Sequence, residues 1–289
     1  GGEVESVKKI YAWAVGLGLA FFVLFFGVIA YWYFASTDYK LTGVPVLNYH
    51  QVNNKFHTVL TMKPENFEKQ IRYLSENGYH ALTLEEFTDY MDGKGELPDK
   101  PVLITFDDGY ADNYEYAYPI LKKYKMTGTI FLITDFVGRP GYLTWEQVKE
   151  MSDNGMEFGS HTLSHRPLDS FDRNGMRHEL VESKKAVEWR LGKPCLFIAF
   201  PEGKFTDTVL EETQNAGYRY GFTVDTGRVF PWDDPYNLDR VPFFEGPVSF
   251  EHFRFRLTLS AFSALLWKSH KFFDHMEFTK PLAKTIPEP

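Results

Sequence analysis

Residues 101–110 read PVLITFDDGY, a short apolar run that ends in two adjacent carboxylates. Val102, Leu103, Ile104 and Phe106 give it the β-branched and aromatic character of a strand covered on both faces. Asp107 and Asp108 stand at its C-terminal end, and Gly109 lets the backbone turn sharply after them. Strand ends of this kind are where α/β proteins keep their chemistry. Two vicinal carboxylates are costly to bury unless a cation neutralises them, and a metal ion would do so.

On both sides of this stretch, strand and helix patterns alternate. Strands are expected at PVLNYH (45–50), ALTL (81–84), GTIFLI (128–133), EFGSH (157–161), PCLFIAF (194–200), YRYGFTVD (218–225) and RVPFF (240–244). Between them fall helix patterns at 64–79, 85–92, 113–124, 144–154, 175–191 and 206–217, and a last one near 249–257. Seven or so βα units in one stretch predict an α/β fold, most simply a (β/α) barrel, with a doubly wound open sheet as the alternative.

The bulk numbers exclude some classes. Of 289 residues, 44% are hydrophobic and 24% charged, the balance of a globular protein. The formal net charge of −8, with no Lys/Arg block, argues against a nucleic-acid partner. A single cysteine, Cys195, rules out an intrachain disulfide and reads as a buried, inert thiol.

Residues 10–34 form an uncharged run, IYAWAVGLGLAFFVLFFGVIAYWYF, longer than the roughly 20 residues that span a bilayer core. Tyr11 and Trp13 at one end, and Tyr31, Trp32 and Tyr33 at the other, suit membrane interfaces. A cleaved signal would have a shorter apolar core and a small-x-small end. A retained transmembrane helix is therefore expected. Lys8 and Lys9 put residues 1–9 in the cytoplasm and the remainder outside the cell membrane, in a single-pass topology. Residues 35–42 then act as a linker. The segment 258–289 is a C-terminal extension whose apolar piece, LTLSAFSALLW, covers the barrel or lies on the membrane surface.

His161 and His165, in GSHTLSHRPL, follow the EFGS strand and so share a strand end with the aspartates. Their i, i+4 spacing places both imidazoles on one side of a helical turn, where they can share an ion. Two histidines and a carboxylate leave open positions for water and substrate.

TFDDGY, SHTLSH and AFPEGKF, in that order and each closing a strand, resemble the motifs of the polysaccharide deacetylases, the NodB-homology group or carbohydrate esterase family four. The resemblance covers residues 43–257. It implies a distorted (β/α)7 barrel and a divalent metal, usually zinc, that hydrolyses N-acetyl groups from amino sugars. It makes Asp108, His161 and His165 the ligands, and Asp107 the general base toward the attacking water.

The third motif departs from the family pattern: Phe200-Pro201-Glu202-Gly203 stands where many members have Arg-x-Pro-Tyr. The Glu202 backbone N–H can still serve an oxyanion, since that donor is independent of side chain. Arg240, in NLDRVPF, is the expected substitute for the missing arginine, held by Asp225; a plain structural salt bridge is the alternative for that pair. The family's C-terminal Leu-x-His is also absent. VPVLNYHQV (44–52) resembles instead the first strand of the poly-N-acetylglucosamine deacetylase branch, which implies His50 as the acid for the leaving amine. Tyr110, Tyr142, Trp145 and Phe205 are expected either to stack on sugar rings or to fill core.

These readings converge on a membrane-anchored, extracytoplasmic deacetylase of an N-acetylated polysaccharide. A poly-β-1,6-N-acetylglucosamine type leads, with peptidoglycan or chitin-like glycans second, and proteins that make or export the polymer are candidate partners. A non-catalytic glycan-binding or complex-organising protein on the same fold is the competing class. A metal-dependent phosphoesterase would need a second metal cluster or a basic phosphate clamp, and neither is visible in the sequence.

Overall fold

Seven of the apolar runs pair side by side, all parallel, and the last returns to the first. The computed structural model describes residues 2–56, 58–246 and 249–260. The ring is β1 (Val46–Tyr49), β2 (Pro101–Phe106), β3 (Thr129–Leu132), β4 (Glu157–Ser160), β5 (Phe197–Ala199), β6 (Tyr220–Thr226) and β7 (Leu238–Pro242). It closes because β1 pairs with β2 on one side, Val46 opposite Leu103, and with β7 on the other, Leu47 opposite Val241. The barrel is distorted: the β6–β7 register shifts between Leu238 and Arg240, and β4 meets β5 only at Ser160 and Ile198. The expected ALTL strand is shorter and earlier, at His80–Ala81, and pairs with β2 outside the ring.

Alternation along the strands sorts the core into two layers. Val46, Leu103, Phe131, Phe197, Phe222 and Leu238 fill the barrel interior. Leu47, Tyr49, Ile104, Phe106, Ile130 and Ile198 face the helices. Burying each such side chain contributes roughly 1.5–3 kcal/mol. The interior leaves no room at Gly159, where an added Cβ would stand 2.5 Å from Phe131 Cε1. The inward parity, followed to the C-terminal strand ends, runs Val46–Asn48–His50, Leu103–Thr105–Asp107, Gly159–His161 and Leu238–Arg240. Four polar side chains expected to carry chemistry thus emerge at one mouth.

The helices cover the ring for legible local reasons. Pro64 opens Pro64–Glu76, whose Phe67, Ile71 and Leu74 are buried, with Phe67 packing on Tyr49 and Phe106. A capping box of Thr144 and Gln147 starts Trp145–Asp153. Asp172 caps Arg173–Leu191, and left-handed Gly192 stops it. The helix expected over 113–124 begins instead as a π turn, Asn113–Ala117, before the α-helix Tyr118–Lys123. Cys195 is buried and its thiol is pushed up to about 12 by burial, as an inert core residue should be.

The N-terminal apolar run lies in one helix, Gly2–Ala35. Its window Trp13–Tyr31, with a mean hydropathy of 2.4, is long and apolar enough to cross a membrane, and none of that window is buried against the protein. The following segment is tied down rather than loose. Arg228, fully buried, donates to Ser36 O and Thr42 Oγ1 on that segment, and to Leu257 O and Ser260 Oγ on the helical stretch 249–260. The C-terminal extension beyond Ser260 lies outside the described residues.

Candidate active site

Asp107 is the first residue past β2, and its backbone N–H donates to Tyr49 O, which holds it to β1. Its carboxylate points inward and meets Arg240 from β7. Arg240 Nη1 donates to Oδ1 and Nη2 to Oδ2, each at 2.8 Å, and Nε donates to Thr223 O at 2.7 Å. Asp225 lies at the more exposed end of β6 and donates its backbone N–H to Thr223 Oγ1, while the Thr223 carbonyl and Asp107 share the guanidinium. Arg240 meets Asp107 because the pleat turns both side chains into the barrel.

Asp108 breaks that pleat. Its φ of +74° is left-handed, and so is that of Gly109 at +75°. At Gly109 an added Cβ would also stand 2.7 Å from Leu132 Cδ2, so the turn needs glycine. This left-handed turn sends the two aspartate side chains different ways, bringing Asp108 back toward the histidines. Its Oδ1 lies 3.4 Å from His161 Nε2 and 3.3 Å from His165 Nε2.

The histidines do not lie on a helical turn, contrary to the i, i+4 expectation. Residues 161–167 form a loop in which Thr162 and His165 have φ of +67° and +66°, and this loop brings the rings to 4.8 Å between centroids. Such conformations cost roughly 1–2 kcal/mol each for non-glycine residues and persist where surroundings enforce them. Here Ser160 Oγ accepts from Thr162 N–H, and Thr162 Oγ1 accepts from His165 N–H.

The donor set fits a metal ion. Asp108 Oδ1 is buried and has no hydrogen-bond partner. Its 3.3–3.4 Å separations are long for hydrogen bonds. Two ligand atoms about 2.1 Å from one tetrahedral ion stand about 3.4 Å apart, so a shared ion suits these distances better. His161 Nδ1 lies 2.8 Å from Ala199 O, to which it donates; this leaves the Nε2 lone pair free on the side of Asp108. The ligating atoms of Asp108, His161 and His165 all lie within 4.8 Å of one another.

Different neighbours keep the two carboxylates ionised. Burial pushes Asp107 up, but the charge and hydrogen bonds of Arg240, with His161 adding to them, hold it far below the usual range. Burial likewise opposes ionisation of Asp108, and His161 beside it wins, holding it down. His161 itself is depressed by burial and raised, on balance, by Asp107 and Asp108. His165 is lowered, first by burial and then by the neighbouring His161.

The remaining expected residues fall into two groups. His50 is at the mouth, its Nε2 3.9 Å from Asp107 Oδ2, and burial lowers its pKa. Tyr110 and Tyr142 are bridged by backbone and stacked, with ring centroids 5.2 Å apart. Burial followed by the charge of Asp108 raises both hydroxyls. Glu202 is left-handed, with φ of +56°, and its exposed carboxylate pairs with Lys204 rather than turning inward. Trp145 instead packs on the core beneath Arg190, whose guanidinium lies 5.3 Å from its ring, and Phe205 packs on Phe200.

Two residues escaped sequence reasoning. Asn113, on the π turn, donates Nδ2–H to His50 O at 2.9 Å and so fixes the end of β1. Glu179 accepts three hydrogen bonds from the loop between the histidines. A signal for it existed: a carboxylate on the otherwise apolar or small face Met176, Leu180, Ser183, Val187 of its helix.

Comparison with known proteins gives the site a setting. The family model for polysaccharide deacetylase matches residues 94–221, a stretch that holds both aspartates and both histidines and stops before Arg240. The chain is 35% identical over 202 residues to the putative polysaccharide deacetylase YxkH of Bacillus subtilis, covering 70% of this chain and 72% of that protein. It is 32% identical over 231 residues to the poly-beta-1,6-N-acetyl-D-glucosamine N-deacetylase of Staphylococcus aureus, covering 70% and 79%. Among solved structures, the Streptococcus pyogenes deacetylase PplD in complex with acetate is similar with a TM-score of 0.71 and 29% identity, over 74% of this chain and 98% of that one.

Proposed function

The chain belongs to the polysaccharide deacetylase family, and from that premise we propose that it hydrolyses N-acetyl groups of an extracellular amino-sugar polymer, with Asp108, His161 and His165 holding a divalent metal. It is a hydrolase of non-peptide carbon–nitrogen bonds. The observation that carries the metal reading is Asp108 Oδ1, buried without a hydrogen-bond partner, facing both Nε2 atoms at 3.3–3.4 Å. The His/His/Asp set suits zinc first, and cobalt, nickel or manganese as well.

A bound divalent cation supplies Lewis acidity, polarising the acetamide carbonyl and lowering the pKa of the attacking water to about 7. Asp107, kept ionised by the bidentate Arg240, accepts the proton from that water. His50, 3.9 Å from Asp107, delivers a proton to the amine nitrogen as the carbon–nitrogen bond breaks and acetate forms. The Glu202 backbone N–H, held in its left-handed turn, donates to the developing oxyanion. The stacked Tyr110 and Tyr142 offer an aromatic wall to a sugar ring. Arg240 takes the place of the family arginine missing near Pro201.

The substrate is read as a poly-β-1,6-N-acetylglucosamine type, supported by the relative that carries that name, with peptidoglycan or chitin-like glycans second. Residues 10–34 anchor the protein as a single-pass helix, and Lys8 and Lys9 orient the barrel outward. Proteins that make or export the polymer would share that membrane.

The test is acetate release by the full chain in detergent micelles with zinc. Oligomers of β-1,6-linked N-acetylglucosamine, chitin oligomers and peptidoglycan are compared. Release from the first, stopped by a chelator, is expected. No acetate from any N-acetylated glycan would replace this reading with that of a glycan-binding protein.

A further inference from the structure

The loop between the two histidines is held from outside by a group that the reaction does not use. Glu179, on Arg173–Leu191, is 4% exposed. Its Oε2 accepts from Leu163 N–H at 3.1 Å and Ser164 N–H at 2.9 Å, and its Oε1 accepts from Ser164 Oγ at 2.7 Å. All three bonds go to the two residues at the centre of the His161–His165 segment. A buried carboxylate is costly unless hydrogen-bonded, and an apolar side chain would serve better if packing were the only need.

We propose that Glu179 is a positioning residue for the metal site: by fixing the Leu163 and Ser164 amides it presents His161 and His165 to Asp108 at ion-sharing distance before any ion arrives. The proposal rests on the reading of those three residues as metal ligands. The loop leaves its strand through left-handed Thr162 and reaches the second ligand at left-handed His165. Its own internal bonds, Thr162 N–H to Ser160 Oγ and His165 N–H to Thr162 Oγ1, lie at the two ends. The centre is anchored by Glu179. Without that anchor the two Nε2 atoms lose their common direction, and part of the binding energy goes into ordering the loop.

The experiment uses the full chain, stripped of metal with a chelator and titrated with Co2+ against a chromophoric competitor. It compares wild type, Glu179→Ala, Glu179→Gln and Ser164→Ala. Three readouts are taken: the Co2+ dissociation constant, the visible ligand-field spectrum of the Co2+ form, and the thermal melt of the metal-free protein. Glu179→Ala is expected to weaken binding by about 10–100-fold, the usual cost of losing an outer support of a ligand, and to alter the spectrum. Glu179→Gln keeps an oxygen acceptor for the two amides and should fall between; Ser164→Ala should weaken binding least. If the wild type binds no Co2+, the metal reading itself fails and the proposal with it. If the wild type binds and Glu179→Ala matches it in affinity and spectrum while melting lower, Glu179 only supports the fold and the proposal is overturned. Should Glu179→Ala not fold, an unchanged affinity and spectrum in Glu179→Gln overturns it equally.

Discussion

Arg240 and Asp107 form a two-point ion pair inside the barrel, Nη1 to Oδ1 and Nη2 to Oδ2, with both side chains almost completely shielded from solvent. The pair joins β7 to the end of β2 and holds the proposed base in one orientation. Replacing Arg240 by Met would leave a buried carboxylate without its partner, a loss of about 3–5 kcal/mol. Chemical denaturation of Arg240→Met should show that loss. The double variant Asp107→Asn, Arg240→Met should recover part of it, since no unpaired charge then remains. A double variant no more stable than Arg240→Met would mean the pair is not the source of the effect.

Asp107→Asn separates the two carboxylates. Acetate release should vanish while metal content stays near that of the wild type, because Asp108 is the residue that faces the histidines. Metal analysis of the purified variant checks this. A protein that lost its metal along with its activity would have the two aspartates reversed.

His50→Ala should lower kcat by about 100-fold or more without changing metal content. Burial depresses the His50 pKa, outweighing the opposite pull of Asp107 and Asp108, so the resting imidazole is neutral at pH 7. The proton it delivers is then one it acquires during turnover, consistent with its position 3.9 Å from Asp107. Steady-state kinetics decide the point, and an unchanged kcat removes His50 from the chemistry.

Glu157, at the opposite end of the barrel, gives a stability prediction. Burial raises its pKa from 4.5 to about 7 against the hydrogen bond it accepts from Leu84 N–H. A carboxyl raised on folding adds stability that is fully present below pH 4.5 and is lost as pH climbs through 7. The span of the shift corresponds to a loss on the order of 3 kcal/mol. Glu157→Gln, which keeps the acceptor and cannot ionise, should match the wild type near pH 4 and melt higher above pH 7. Parallel melting curves across that range would contradict it.

Much of this protein was readable in the chain. Apolar runs of four to six residues that end in polar ones located the strands, since a barrel strand is buried on both faces and meets solvent only at its ends. The helix patterns at 144–154 and 175–191 fall within two residues of the observed Trp145–Asp153 and Arg173–Leu191. The misreadings came from places where regular geometry stops. The i, i+4 argument for His161 and His165 assumed a helix where the chain forms a loop with two left-handed residues. The Arg240–Asp107 pair is not legible in the chain, because only the pleat of the closed barrel turns both side chains inward.

By itself the sequence determined the inventory: two adjacent aspartates and two histidines at strand ends, a 25-residue uncharged run, and the strand–helix alternation of an α/β fold. Local pattern suffices for these, because burial and backbone propensity act over a few neighbouring residues. Only the tertiary structure decided which partners those residues take. Arg240 reaches Asp107 across 133 positions of chain, and Glu179 reaches the histidine loop from a neighbouring helix. Such pairings depend on barrel closure and on how each strand end twists. A carboxylate in the sequence carries no mark of the cation or amide that will meet it.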